Sequence, residues 1–307
     1  MTHIPVLYTE VLEGLSIDPT GIYVDGTLGR GGHAEGILKA LTSGRLIAFD
    51  QDEQAIREAS ARLTAYANRL NVIHANFNTL KATLTQLGIS EVHGILLDLG
   101  VSSPQFDDPE RGFSYRYDAR LDMRMDRRQS LDAYTVVNTY PFAELMKILQ
   151  RYGEEPFAKN IARAIESYRA KQPIETTLQL VEVIKSALPA KVLSQKGHPA
   201  KQTFQALRIE VNRELEVLEE VLDQAVSVLK PGGRLVVLTF HSLEDKAVKH
   251  RFMELSDPHV PAKLPITNVA SAPYRMIKTK AKAASADELR DNPRAHSAHC
   301  RILERIR

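Results

Sequence analysis

The chain has 307 residues, 43% hydrophobic and 25% charged, with 16 Gly, 15 Pro and a formal net charge of +2. That balance excludes disordered, collagenous and fibrous proteins, and a length beyond the roughly 100–200 residues of an ordinary domain predicts a large domain carrying an insertion. One cysteine, Cys300, leaves no intrachain disulfide, and with no basic-then-apolar leader and no run near the ~18 apolar residues of a membrane span, the expectation is a cytoplasmic, unanchored protein.

Residues 21–27 read as a strand ending in a glycine turn, and 32–41 as a helix with Ile37, Leu38 and Leu41 on one face. Arg45–Asp50 is a second strand, and Asp52 starts a helix with Ile56, Ala59 and Leu63 at helical spacing. Residues 70–75 and 92–99 are the third and fourth strands, separated by a helix through Leu80, Leu84 and Leu87. Four βα units in series predict an α/β fold with a parallel sheet covered on both faces. From Phe106 the alternation stops, giving an Arg- and aromatic-rich loop and helices near 141–152, 156–171, 177–187 and 203–229. Residues 106–215 are therefore expected to form a helical insertion on a sheet domain built from 1–105 and 216–307. Pro231-Gly-Gly ends the last of those helices, 234–240 is a fifth strand, and 242–255 is its helix. Residues 274–278 and 297–306 are predicted as further strands. Charge is uneven: 7 Lys and Arg against 11 Asp and Glu in 1–105, but 10 against 4 in 260–307. Such a layout suits a cationic ligand beside a polyanionic partner, or simply a solvated mixed surface.

Open parallel sheets bind ligands at the carboxyl ends of their strands. The first strand runs into Asp25-Gly-Thr-Leu-Gly-Arg-Gly-Gly-His33, the second ends in Asp50, the third runs into Asn76-Phe77, and the fourth ends in Asp98-Leu-Gly-Val-Ser-Ser-Pro-Gln105. A glycine loop with an acid about 20 residues on is the dinucleotide fingerprint, and Asp50 follows Gly29 by 21 residues. A pyrophosphate disfavours neighbouring anions, whereas Asp25, Asp50 and Asp98 converge on this cleft. Three carboxylates suit S-adenosylmethionine, which carries a sulfonium, an ammonium and a ribose but no phosphate. Taken singly, Asp25 or Asp98 also fits a cap, Gly31-Gly32 a tight turn, His33 an exposed helix start, and Phe77 a core aromatic.

The strings His3-Ile-Pro-Val-Leu, Asp25 to His33, Gly94-Ile-Leu-Leu-Asp-Leu-Gly-Val-Ser-Ser-Pro-Gln105, Arg111-Gly-Phe-Ser, Leu121-Asp-Met-Arg-Met-Asp126, Tyr152-Gly-Glu-Glu, Thr203-Phe-Gln-Ala-Leu-Arg-Ile, Phe240-His-Ser-Leu-Glu-Asp245 and Asn292-Pro-Arg occur in this order. Together they resemble the bacterial 16S rRNA (cytidine-N4) methyltransferase family almost end to end. The resemblance implies a Rossmann-like class I methyltransferase sheet and an insertion that serves substrate recognition. It implies S-adenosylmethionine as cofactor, and as substrate a decoding-region cytidine of 16S rRNA within the small ribosomal subunit; it leaves a homodimer open. Carried over position by position, the cofactor residues fall on Gly31, Gly32, His33, Asp50, Phe77, Asp98 and Gln105. The chain departs from the family's pattern at His296-Ser-Ala-His299-Cys300, where a more basic stretch is usual.

Methylating cytosine N4 requires an acceptor for an N4 hydrogen. The Asp/Asn-Pro-Pro-aromatic motif of many amino-methyltransferases is missing after the fourth strand. The candidates there are Asp98 or a backbone carbonyl of 99–103, with Ser102 and Ser103 as polar partners. His241 is a second candidate base, or a satisfied strand-end histidine. Arg111, Phe113, Tyr115 and Arg116 interleave cations with aromatics and suit a flipped base and its phosphates, or else a loop packed on the insertion. Lys159, Arg163 and the basic run 278–282 are further phosphate candidates. His296, His299 and Cys300 have ligand-like spacing but no matching second cluster, so no metal site is expected. A nicotinamide-dependent oxidoreductase and a non-catalytic RNA-binding assembly factor are the alternatives.

Overall fold

Runs of Ile, Val and Leu without polar alternation become central strands, because a strand covered on both faces is apolar throughout. The structure is a computed structural model, which describes residues 5–258, 271–277, 282–283 and 286–307. In chain order, α1 (Tyr8–Leu15) leads into β1 (Ile22–Asp25), α2 (Gly32–Ala40), β2 (Arg45–Asp50), α3 (Glu53–Arg62), β3 (Leu70–His74), α4 (Leu80–Gln86) and β4 (Val92–Asp98). The chain then forms α5 (Ser103–Asp107), α6 (Ala133–Thr139), α7 (Phe142–Gly153), α8 (Ala158–Arg169), α9 (Thr177–Ser186), α10 (Ala190–Leu193) and α11 (Lys201–Asn212). It returns through α12 (Glu214–Val228), β5 (Leu229–Thr239), α13 (Ser242–Ser256), β6 (Tyr274–Met276), β7 (Lys282–Ala283), α14 (Ala286–Asp291) and β8 (His299–Arg305). Two compact units result: Met1–Gly100 with Leu215–Arg307, and Val101–Glu214.

The first unit holds one sheet in the order β3-β2-β1-β4-β5-β8-β6, with β7 also paired to β8. Strands β1 to β5 are mutually parallel, and β8 runs antiparallel to β5, so the sheet is mixed at that edge. This is the Rossmann-like class I layout expected from the sequence. Alternate strand residues feed opposite faces: Leu46 and Ala48 pack in one core cluster, Ile47 and Phe49 in the other. Tyr23 and Phe49 are fully buried, each contributing about 1.5–3 kcal/mol of apolar burial. Strand order reverses between β1 and β4, so the crevice at their carboxyl ends is where a ligand fits.

Two expectations needed correction. The helix over 203–229 is two helices, because Arg213 adopts φ 49° at the end of α11 and breaks the hydrogen-bond ladder. The fifth strand starts at Leu229 and takes in Pro231-Gly-Gly. Gly232 at φ 80° and a register shift opposite Val92 and Gly94 accommodate the irregularity.

The second unit is helical. Thr176 and Gln179 form a reciprocal capping box at the start of α9, satisfying backbone donors that the first turn leaves unpaired. Its core includes Leu145, Leu149, Ile161, Ile165 and Leu207, all fully buried. Buried Asn212 ties α11 to the 123–125 segment, donating to Met123 O (2.8 Å) and accepting from Met125 N (2.8 Å). Among the described residues, no helix is long and apolar enough to cross a membrane.

Candidate active site

The first unit brings three acids to the carboxyl ends of β1, β2 and β4. Asp25 is 1% exposed; its Oδ1 accepts from Thr27 N (3.0 Å), while its buried Oδ2 has no hydrogen-bond partner among the described residues. Burial pushes this carboxyl up to about 7, against the Thr27 N–H, and the neighbouring Asp50 charge adds to the push. Asp50 is held from both sides: Oδ2 accepts from Gly29 N and Oδ1 from Asp52 N, each at 2.8 Å. Its carboxyl is nevertheless pushed up to about 6, because desolvation outweighs those donors. Asp98 is locked to the first strand's loop by its own N–H, which donates to Thr27 Oγ1 (2.7 Å). Burial, then the charges of Asp25 and Glu244, push it upward. Its side chain keeps 28% of its surface open, and solvent on that side moderates the push.

The glycine loop has two different reasons for its composition. Gly31 caps α2 at φ 77°, where a side chain is strained. Gly32 lies so near Pro5 that a Cβ would stand 2.5 Å from Pro5 Cγ. His33 follows in the first turn of α2, 6% exposed, its Nε2 3.6 Å from Asp98 Oδ2 and its ring stacked on Tyr8 at 6.1 Å. It is thus buried, in contrast to an exposed helix start. Phe77 begins a short turn after β3, half-buried, with its Cβ 3.3 Å from where a side chain on Gly26 would begin. Gly31, Gly32, His33, Asp50, Phe77 and Asp98 therefore lie on the strand ends and adjoining turns of one unit.

The remaining carried-over position, Gln105, belongs to the helical unit, as do the candidate polar partners Ser102 and Ser103. Gln105 is 7% exposed, and its Oε1 accepts from Ser102 N (3.0 Å), a bond that fixes the turn into α5. Ser103 opens α5; its side chain lies outside the described residues, as do His3 of the first string and the basic run 278–281. Lys159 and Arg163 are exposed on α8, Arg163 resting over the Phe142 ring at 5.5 Å. His299 and Cys300 are consecutive on β8, so their side chains face opposite sides of the sheet.

Three of the substrate candidates are held in place by the fold. Arg111 and Phe113 are each 3% exposed: the Arg111 guanidinium donates to Arg124 O (2.9 Å) and Met125 O (3.2 Å) and lies over the Phe113 ring. The guanidinium thus ties residue 111 to the 124–125 backbone. His241 is the cap of α13 in a capping box with Glu244, and its Nε2 lies 3.0 Å from Glu244 Oε1. The ring serves the helix start rather than standing free as a base. Histidine is not among the usual cap residues, so of this capping box only Glu244 follows the familiar sequence pattern. Tyr115 is half-buried and Arg116 exposed, the tyrosine ring stacked on His198. Neither His198 nor Glu244 was singled out from the sequence.

The sequence profile of the MraW methylase family matches residues 1–306. A "Ribosomal RNA small subunit methyltransferase H" of Limosilactobacillus fermentum is 51% identical over 309 residues, covering 99% of this chain and 98% of that protein. A protein of the same name from Exiguobacterium sibiricum is 52% identical over 307 residues, with 99% and 98% covered. The one from Lactobacillus delbrueckii subsp. bulgaricus is 49% identical, with 99% of each chain covered. A strand-end crevice lined by acids, in a chain that matches end to end, leaves one assignment: the protein belongs to the MraW methylase family and is a methyltransferase whose cofactor is S-adenosylmethionine.

Proposed function

We propose that the protein methylates N4 of a decoding-region cytidine in 16S rRNA, meeting that RNA in the small ribosomal subunit. The names of the relatives support ribosomal RNA as the substrate class. The observation that carries the cofactor site is the unpaired, buried Oδ2 of Asp25 beside two further carboxylates. A buried acceptor without a donor costs about 1–3 kcal/mol, and a cationic, hydroxyl-bearing ligand supplies the missing donors. The acids thus fit S-adenosylmethionine and disfavour a pyrophosphate, which argues against a nicotinamide cofactor.

Asp50, oriented by Gly29 N and Asp52 N, retains lone pairs for the ribose hydroxyls. Phe77 offers a flat face for adenine, the loop at Gly31, Gly32 and His33 borders the methionine portion, and Gln105 completes the cofactor set. When bound, the cofactor supplies a methyl group made electrophilic by its sulfonium. The cytosine N4 lone pair is delocalised into the ring, so the protein must hold an N4 hydrogen while that nitrogen attacks, and one proton must leave. Asp98 is the group for both tasks in its ionised form, which a sulfonium in the crevice would favour against the burial that raises its proton affinity; it is partly exposed and 3.6 Å from His33 Nε2. Ser102 and Ser103, just beyond it in the chain, are polar partners for the base. The test is incubation of 30S subunits with methyl-labelled donor, followed by nucleoside analysis of the 16S rRNA. N4-methylcytidine is the expected product; label in another nucleoside would remove the N4 assignment, and unlabelled RNA would leave a binding protein without turnover.

A further inference from the structure

The helical unit contains a cluster that the transfer chemistry does not use. Tyr115 lies against His198 with ring centroids 4.1 Å apart and planes 13° from parallel, and Phe204 meets the tyrosine edge-on at 5.7 Å. The histidine ring is fixed from its own loop, Nδ1 accepting from Ala200 N (3.2 Å). Burial first, then the charges of Lys185 and Arg116, hold His198 below its ordinary value, so it presents a neutral aromatic face. Residues 185–201 contain Lys185, Lys191, Lys196 and Lys201 and no Asp or Glu. Lys185 is paired with Glu182 at 2.8 Å. Arg116, Lys191, Lys196 and Lys201 are exposed, and among the described residues none has a carboxylate within ion-pair distance. Tyr117, 50% exposed, continues the aromatic segment. Gly197, at φ 106°, has nothing within 4 Å of where a side chain would begin, which places the loop tip in open space.

A face that combines an ordered stack of flat rings with unpaired cations matches single-stranded nucleic acid, whose bases stack in any sequence and whose phosphates want positive charge. We propose that the Tyr115–His198 stack, with Arg116, Lys191, Lys196 and Lys201 near its members in the chain, is a docking site on the helical unit for an unpaired stretch of RNA. An RNA base extends the stack on the rings, and the lysines of the same segment neutralise the backbone phosphates. This inference rests on RNA being the substrate, and its test is chosen to separate the two.

The probe is a fluorescein-labelled, 12-nucleotide single-stranded RNA of mixed sequence, followed by anisotropy with the full-length protein at several salt concentrations. His198→Ala is expected to raise the RNA Kd about tenfold while leaving the salt slope unchanged, since a stacking face is lost and no charge. His198→Phe is expected to restore binding. Lys191→Ala/Lys196→Ala/Lys201→Ala is expected to weaken binding at low salt and to reduce the slope by about 2, at roughly 0.7 per phosphate contact on a single strand. Circular dichroism and calorimetry with S-adenosylhomocysteine confirm that each variant is folded with unchanged cofactor affinity. Unaltered Kd and slope in both the His198→Ala and triple-lysine variants overturn the docking site. So does loss in His198→Ala that His198→Phe fails to restore. Wild-type labelling of 30S subunits is measured alongside: if the RNA is labelled while these variants bind normally, only the docking site falls; if wild type labels none, the substrate reading falls.

Discussion

Asp25, whose buried Oδ2 has no hydrogen-bond partner among the described residues, is the residue on which the proposed cofactor site turns. Asp25 and Asp50 have folded values of about 7 and about 6, above the ordinary 3.8. Between these limits the folded protein binds more protons than the unfolded chain, so their contribution to stability is present at low pH and is lost as pH rises through about 6 to 7. A cationic ligand reverses that trend by favouring the ionised acids. The protein alone should therefore melt lower at about pH 8 than at about pH 5.5, and the shift caused by S-adenosylmethionine should be larger at the higher pH. Asp25→Asn should flatten the first dependence in thermal melts; an unchanged slope would mean that the group does not titrate in this window. Asp50 was legible in the sequence because strand-end acid and glycine loop stand at a recognisable separation. The burial of Arg111 was not: alternating cations and aromatics look the same whether the guanidinium faces phosphate or, as here, the carbonyls of Arg124 and Met125.

At the level of elements, sequence periodicity located all five parallel strands, since each is a short apolar run bounded by turn residues. It could not locate the break at Arg213, where apolar spacing continues across α11 and α12 with no Gly or Pro to mark a left-handed residue. The start of α13 gives a second test. His241→Ala should cost about 1 kcal/mol of stability through loss of the cap, and His241→Asn, a good capping residue, should recover it together with methyl transfer. A stable Asn variant without turnover would return His241 to the chemistry. Arg111→Ala should strand the two buried carbonyls, costing about 1–3 kcal/mol in denaturant unfolding of the helical unit. A variant as stable as wild type but defective only in RNA binding would contradict the structural role.

For the whole molecule, the chain divides into Met1–Gly100 with Leu215–Arg307, the unit whose strand ends bear Asp25, Asp50 and Asp98, and the helical Val101–Glu214. Uneven charge did not mark this division, since the acidic block 1–105 and the basic block 260–307 both belong largely to the sheet unit, and it did not mark the Tyr115–His198 stack, whose members stand 83 positions apart. The family assignment fixes methyl transfer, and the proposal that Asp25, Asp50 and Asp98 receive the sulfonium cofactor is open to direct test. The most direct check is calorimetry of S-adenosylmethionine binding to wild type and Asp50→Ala, with NAD as control. Wild type should bind the methyl donor and not NAD, and Asp50→Ala should lose about 1–3 kcal/mol, roughly 5- to 150-fold in Kd. Equal affinity in the two proteins, or tight NAD binding by wild type, would contradict the account.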